Sequence, residues 1–329
     1  MAALGHRVEL CVQSEWTAAA ILAAHGRPPL ATLRLRVLPL GGTAAAVLYR
    51  AAFLSWVART GGSGLVLARS VRHAAWALGW AHGRFRLVFE AHGVPPLWTP
   101  AGPRPDEMPA LQRVLDGAVG VVANAPGTLA ALRQVGLRLP PALVAHNAGR
   151  PAPRPHAGSG IACVGSVRPY KDPETVAHAA GRSPEPITWV GPSAGELAPL
   201  IALSGGALRH ASAWDPGDVS RRLSRYRALL LPLSHGPFGD ALTSPLKLWD
   251  ALPSGIPLVA ADTAAVRAAA KGGFVPYRPG DPEDLVRALR IACTNAAVRQ
   301  RVVTVARARA RTWEQRAAEI AAFAGQVTA

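Results

Sequence analysis

The sequence predicts an α/β protein of two Rossmann-like domains facing across a cleft, each a parallel sheet covered by helices. Three observations predict it. Short apolar runs alternate with helical stretches along nearly the whole chain, which is the rhythm of βα units. A segment from Arg150 to Gly160, rich in proline and glycine and without apolar periodicity, interrupts that rhythm as an interdomain linker does. The chain has 329 residues, half of them hydrophobic, enough for two cores of ordinary size. The expected division is residues 1–150, a linker at 151–159, a second domain at 160–311 and a terminal helix at 312–329 that packs back on the first domain.

In order, Val8 to Gln13 reads as a strand, Trp16 to Ala24 as a helix and Leu33 to Val37 as a strand. Thr43 to Arg59 reads as a long helix, apolar apart from Arg50 and Arg59, a pattern of core packing or, alternatively, of a membrane interface. Gly64 to Ala68 is a strand ending at Arg69, Val71 to Trp80 a helix, and Arg86 to Ala91 a strand running into His92 and Gly93. Arg69, Glu90 and His92 thus fall at strand ends, where functional side chains collect in parallel sheets. A helix at Met108–Leu115, a strand at Ala118–Ala123, a helix at Pro126–Val135 and a strand at Ala142–Asn147 complete the first half. The second half opens with a strand at Ile161–Gly165 and a helix for which Asp172 is the expected cap. Strands at Ile187–Gly191 and Ala228–Leu233 and a helix at Asp215–Tyr226 follow. Asp281 starts another capped helix, and helices at Asn295–Ala310 and Thr312–Ala324 close the chain, with Trp313 expected to dock the last one.

Composition excludes several classes. No run of roughly 18 apolar residues is free of charge, so no transmembrane span is predicted. The start lacks the apolar core of a signal peptide, and a cytoplasmic location is expected. Cys11, Cys163 and Cys293 are scattered without metal spacing and read as buried free thiols. The net charge of +16 comes almost wholly from arginine. No basic run or nucleic-acid-reading motif accompanies it, so an anionic membrane surface at the inner face, met peripherally, suits it better than nucleic acid.

Against so much arginine the chain keeps only Lys171, Lys247 and Lys271. Lys247 lies in Thr243-Ser-Pro-Leu-Lys-Leu-Trp-Asp250, a stretch that reads as a helix start capped by Thr243 or Ser244 with Pro245 at its first position. A lysine is mildly unfavourable at the positive end of a helix dipole unless an anion binds there. Asp250, three residues on, shares its face and can accept hydrogen bonds from sugar hydroxyls. The plain alternative is a surface helix with a solvated Lys–Asp pair.

Gly165-Ser-Val-Arg-Pro-Tyr-Lys171, Ser244-Pro-Leu-Lys-Leu-Trp-Asp250 followed by Gly255-Ile-Pro-Leu-Val, and Thr312-Trp-Glu-Gln-Arg-Ala together resemble glycosyltransferase family 4. Phe89-Glu-Ala-His92-Gly, Val122-Ala-Asn124-Ala and His146-Asn147-Ala-Gly agree with it. The resemblance implies a GT-B fold and a retaining, metal-independent hexosyltransferase without cofactor. Its donor is a nucleotide sugar and its acceptor a glycan, a lipid or a small molecule, as in cell-surface glycan synthesis. Lys171, Lys247, Arg168 and Ser244 would hold the donor diphosphate, Asp250 the ribose, and His92 would act beside the sugar and acceptor. Asp240, Arg69 and Glu90 are secondary candidates. A GT-B sugar-nucleotide epimerase and a non-catalytic nucleotide-sugar-binding or partner protein are the alternatives.

The sequence departs from the family in four places. Leu242 stands where an acid eight residues before Asp250 is usual, with Asp240 the nearest substitute. Ser166 stands where an arginine is usual, and the second acid is an aspartate. The family's first strand and glycine-rich loop should precede Leu4–Val8 but are absent, which predicts a gap in the first sheet and a true start upstream.

Overall fold

The computed structural model describes residues 1–13, 16–38, 50–55, 58, 64–81, 85–92, 106–150, 158–237, 239–240 and 246–328. Two compact units are present: residues 1–146 with 314–329, and residues 147–313.

In the first unit, β1 (Val8–Gln13) is followed by α1 (Ala18–Ala24), whose N-cap Thr17 accepts the Ala20 amide, and by β2 (Leu33–Leu38). β1 and β2 form a parallel pair in register from Val8↔Leu33 to Gln13↔Leu38. A separate parallel sheet orders β3 (Gly64–Ala68), β4 (Phe85–Ala91), β5 (Gly120–Ala123) and β6 (Ala142–Val144) in chain sequence. α2 (Val71–Ala81), α3 (Glu107–Gly117) and α4 (Pro126–Gln134) connect them. Among the described residues β1 bonds only to β2, and β3 only to β4, so the sheet is divided where the sequence predicts a gap. Leu10 on β1 and Leu65 and Leu67 on β3 are each at least 40% exposed.

The second unit carries one six-stranded parallel sheet, ordered β12-β11-β10-β7-β8-β9. Its strands are β7 (Ile161–Val164), β8 (Ile187–Val190), β9 (Arg209–Ala211), β10 (Ala228–Leu231), β11 (Leu258–Ala261) and β12 (Val275–Tyr277). The helices are α5 (Pro173–Ala180), α6 (Ala194–Leu203), α7 (Val219–Leu223), α8 (Leu246–Ala251), α9 (Ala264–Ala270), α10 (Pro282–Thr294) and α11 (Ala296–Arg309). Its central strands are apolar throughout because helices cover both faces. Trp189, Trp249, Tyr277 and Leu230 lie in one continuous core with Cys163 and Cys293, both free thiols.

α12 (Trp313–Thr328) returns the chain to the first unit. Ile320 and Phe323 pack with Val88, Val122 and Ala145. A side chain at Gly120 would meet the Phe323 ring at 2.8 Å, so the glycine makes the seat for that ring. Trp313, expected to do the docking, is the last residue of the second unit; Arg316, Ile320 and Phe323 are the buried contacts of α12.

Four elements differ from expectation. The helix predicted over Asp215–Tyr226 is confined to Val219–Leu223, because Pro216-Gly217 makes a turn closed by the Asp218 amide on the Asp215 carbonyl. α6 was not predicted, although Ser193 and Glu196 form a full capping box at its start; Gly195 and Pro199 weaken its helical signal. β9 and β12 are three-residue strands too short for an alternation to register. Asp172 precedes α5 but its carboxylate accepts no helix amide. The Thr43–Arg59 helix falls largely outside the described residues, with 50–55 helical.

Candidate functional site

The second unit's sheet reverses direction of growth between β7 and β10, its two central neighbours. In open parallel sheets the loops leaving the carboxyl ends at such a switch point diverge and leave a crevice. Lys171 follows β7 and Lys247 follows β10, so two of the chain's three lysines leave the two strands that flank this point.

The β7 loop is built to place one ammonium group. Gly165 continues β7 by donating its amide to Val190 (2.8 Å) and accepts the Trp189 indole N–H on its carbonyl (2.7 Å). Its φ of +120° suits glycine, and a β-carbon there would stand 2.6 Å from Lys171 Nζ. The lysine crosses that space and donates to the Ser166 carbonyl (3.0 Å). Pro169–Lys171 forms a 3₁₀ turn, and the Tyr170 carbonyl accepts the Ser234 amide (2.9 Å), which ties the β7 loop to the β10 loop. Burial lowers the Lys171 pKa; Cys163 opposes this, and the cations Lys247 and Arg168 add to it. Burial also raises the neighbouring Cys163 thiol to about 12, so it stays neutral. Lys171 and Lys247 feel each other's charge, and among the described residues Lys171 has no acid of its own, so an anion placed near it is electrostatically favoured.

α8 carries the second lysine. Lys247 Nζ donates to Asp250 Oδ2 at 3.1 Å, with Asp250 only 19% exposed, so the pair is partly desolvated rather than a surface pair. Burial raises the Asp250 pKa, against the pull of Lys247 and Arg150. Trp249 anchors the helix in the core, and Gly149 lies against its carbonyl so closely that a β-carbon would stand 1.9 Å from the oxygen. Arg168 is exposed on the β7 loop. Ser244, with Thr243, Pro245 and Leu242, lies outside the described residues. Asp240 closes its own loop, accepting the Gly236 amide (2.9 Å) and standing 3.4 Å from His235. Nearby in the second unit, His210 Nε2 bonds the Pro192 carbonyl at 2.9 Å, and Trp214 packs on Tyr226 beneath Arg222.

In the first unit the sequence-nominated Glu90 and His92 stand together. His92 Nε2 is 2.9 Å from Glu90 Oε1, and its Nδ1 is 3.4 Å from Asn124 Nδ2, whose carbonyl oxygen accepts the Thr128 hydroxyl (3.3 Å). Arg316 Nη2 reaches the same Glu90 oxygen at 2.5 Å. Burial would raise the Glu90 pKa, but His92 and Arg316 outweigh it and hold the carboxyl at about 2. Glu90 is thus the acid of an internal network that fixes the His92 ring and α12. Arg316 escaped sequence reading because its partner lies 226 residues away. Arg69 is exposed at the end of β3.

No family model matches the chain, and no curated protein matches it in sequence. Among solved structures, the sucrose-phosphate synthase of Thermosynechococcus elongatus superposes with a TM-score of 0.79 at 15% identity, covering 99% of this chain and 90% of that one. Anabaena HepE in complex with UDP and glucose gives 0.74 at 14% identity, over 98% and 94% of the two chains. The lipopolysaccharide outer core galactosyltransferase WaaB in its apo form gives 0.55 at 16%, over 84% and 80%. At such identities the likeness establishes the fold: two Rossmann-like units of the GT-B type. No described helix is long and apolar enough to cross a membrane.

Proposed function

We propose that the second unit binds a nucleotide-diphosphate sugar and that the chain is a glycosyltransferase of the retaining, metal-independent kind. The observation that carries the reading is the convergence of Lys171 and Lys247 on the β7–β10 switch point, where Lys171 has no acid partner among the described residues and Lys247 shares Asp250. Charge grows on the diphosphate as the glycosidic bond to the sugar breaks. Fixed cations that are already desolvated stabilise that charge without reorganising. Lys171, Lys247 and Arg168 fill that role, with Ser244 as a further candidate ligand. Asp250, held by Lys247, accepts the ribose hydroxyls, and His92 in its fixed ring orientation serves the sugar and acceptor. UDP is the first nucleotide to test, since HepE was solved with UDP and with UDP-glucose. The acceptor class is a glycan or lipid-linked glycan, and the basic surface suits peripheral contact with an anionic membrane.

The test is the melting temperature of the chain and of Lys247→Ala with UDP, GDP, ADP and the corresponding nucleotide sugars. A ligand that binds only the folded state raises the transition. One base should give a shift in the native chain, and Lys247→Ala should weaken that binding about tenfold or more, the worth of a charge-assisted contact of roughly 1.5–3 kcal/mol. No shift with any nucleotide would end the donor reading. The divided sheet of the first unit favours a second reading, a nucleotide-sugar-binding protein without turnover. Slow donor hydrolysis in the absence of acceptor separates the two: it accompanies catalysis and not mere binding.

A further inference from the structure

We infer that Asp172 is a positioning residue that holds Lys171 in place from behind, by tying the β7 loop to the loop between β12 and α10. The inference rests on the donor reading above for its function, and on the following geometry for its structure.

Asp172 has φ 48° and ψ 51°, the left-handed region, which non-glycine residues seldom enter, aspartate and asparagine more readily than most. Among the described residues only Asp172 and Lys271 are non-glycine residues with positive φ. Lys271 ends α9 and is followed by a glycine, a common place for such a conformation. Asp172 stands at the start of α5, where the ordinary N-cap backbone is extended and the side chain accepts a helix amide. Thr17, Ser193, Thr263, Asp281 and Asn295 all cap their helices by that bond. Asp172 makes no such cap; its Oδ2 accepts the Gly280 amide (2.8 Å), 108 residues away, and its Oδ1 accepts the Thr175 hydroxyl (2.7 Å). Its charge is also felt at the buried Tyr277 hydroxyl on β12, which places the carboxylate against the sheet end.

The consequence falls on the preceding residue. The 3₁₀ turn is pinned through Tyr170 to the β10 loop and through Asp172 to the β12 loop, so Lys171 sits between two anchors. Lys171 itself has no carboxylate partner among the described residues, only the Ser166 carbonyl. A carboxylate paired directly with this ammonium, as Asp250 is with Lys247, would offset part of the charge that a diphosphate meets. Orienting the lysine through its neighbour's tether avoids that cancellation, and this accounts for a strained backbone at a position where an ordinary cap would be strain-free.

The experiment compares Asp172→Gly, which adopts the left-handed backbone freely but loses both bonds, with Asp172→Asn, which retains an acceptor oxygen and tolerates that backbone. Circular dichroism confirms that each is folded. By titration calorimetry, Asp172→Gly should bind UDP at least tenfold more weakly while its affinity for uridine is unchanged, and Asp172→Asn should recover part of the loss. Equal weakening toward UDP and uridine would mean a general structural role, and unchanged UDP affinity would mean no role; either overturns the inference. A second readout needs no ligand: the pH dependence of Lys171 reductive methylation, mapped by mass spectrometry. Release of the tether should move that profile to higher pH, toward an ordinary lysine, and an unmoved profile overturns the inference even if native chain and variant alike ignore UDP, which would be failure of the donor reading instead.

Discussion

Among the described residues, the second unit keeps six parallel strands in one sheet, whereas the first unit divides six between a four-stranded sheet and a separate pair. The strands differ in pattern, β1 and β2 carrying Glu9, Arg34 and Arg36 where β10 reads Ala-Leu-Leu-Leu, and their leucines meet different fates. Leu229, Leu230 and Leu231 on β10 are at most 4% exposed, while Leu10, Leu65 and Leu67 in the first unit are 40% exposed or more. A leucine stabilises in proportion to the apolar area it removes from water, about 25 cal/mol per Å². Equal residues therefore contribute unequally, according to how far each side chain is covered. The second unit is a finished core that can hold charged groups in fixed places at its sheet end. The first unit depends more on specific ties, Glu90–Arg316 and the seat of Phe323 on Gly120.

The largest test of this contrast is Trp189→Ala. The side chain is fully buried and its indole N–H serves the Gly165 carbonyl, so the loss should be about 3–5 kcal/mol of second-unit stability in urea unfolding. A loss under 1 kcal/mol would break the idea of a finished core. Glu90→Gln comes next: Arg316, 8% exposed, would lose its anion, at a cost on the order of 3 kcal/mol to the first unit. The native chain carries a matching pH signature. Glu90 has a folded pKa of about 2, below its ordinary 4.5, so its contribution is full above pH 4.5 and is lost as the pH falls toward 2. The variant should be flat across that window; an equally steep acid decline would assign it to other groups. Leu10→Ala and Leu65→Ala should be smallest, within about 0.5 kcal/mol, since little area is lost on truncating an exposed side chain. Hydrogen exchange sharpens the same point: amides of β1 and β2 should exchange through local opening well before those of β7 and β10.

Much of the fold was legible because its signals are local. The apolar runs at Val8–Gln13, Ile161–Val164 and Ala228–Leu231 are strands within a residue or two of expectation, and Thr263 and Asp281 cap their helices as side-chain chemistry dictates. The division of the described strands in the first unit agrees with the gap that the resemblance predicts. The misses have equally local causes: Pro216-Gly217 stops a helix that periodicity continues, and Gly195 and Pro199 obscure one that the Ser193–Glu196 box begins. At the site, rarity singled out the lysines and spacing suggested the Lys247–Asp250 pair, now seen at 3.1 Å.

By itself, then, the sequence determined most of the alternating strands and helices, the Asp281 cap and the three lysines set among many arginines, because each depends on neighbours within a turn or two. Only the tertiary structure decided that the strands before Lys171 and Lys247 lie side by side, that Asp172 turns from its helix to Gly280, and that Glu90 answers to Arg316. Those pairings join residues tens to hundreds of positions apart. They are chosen by sheet order and burial, which no local pattern of side chains encodes.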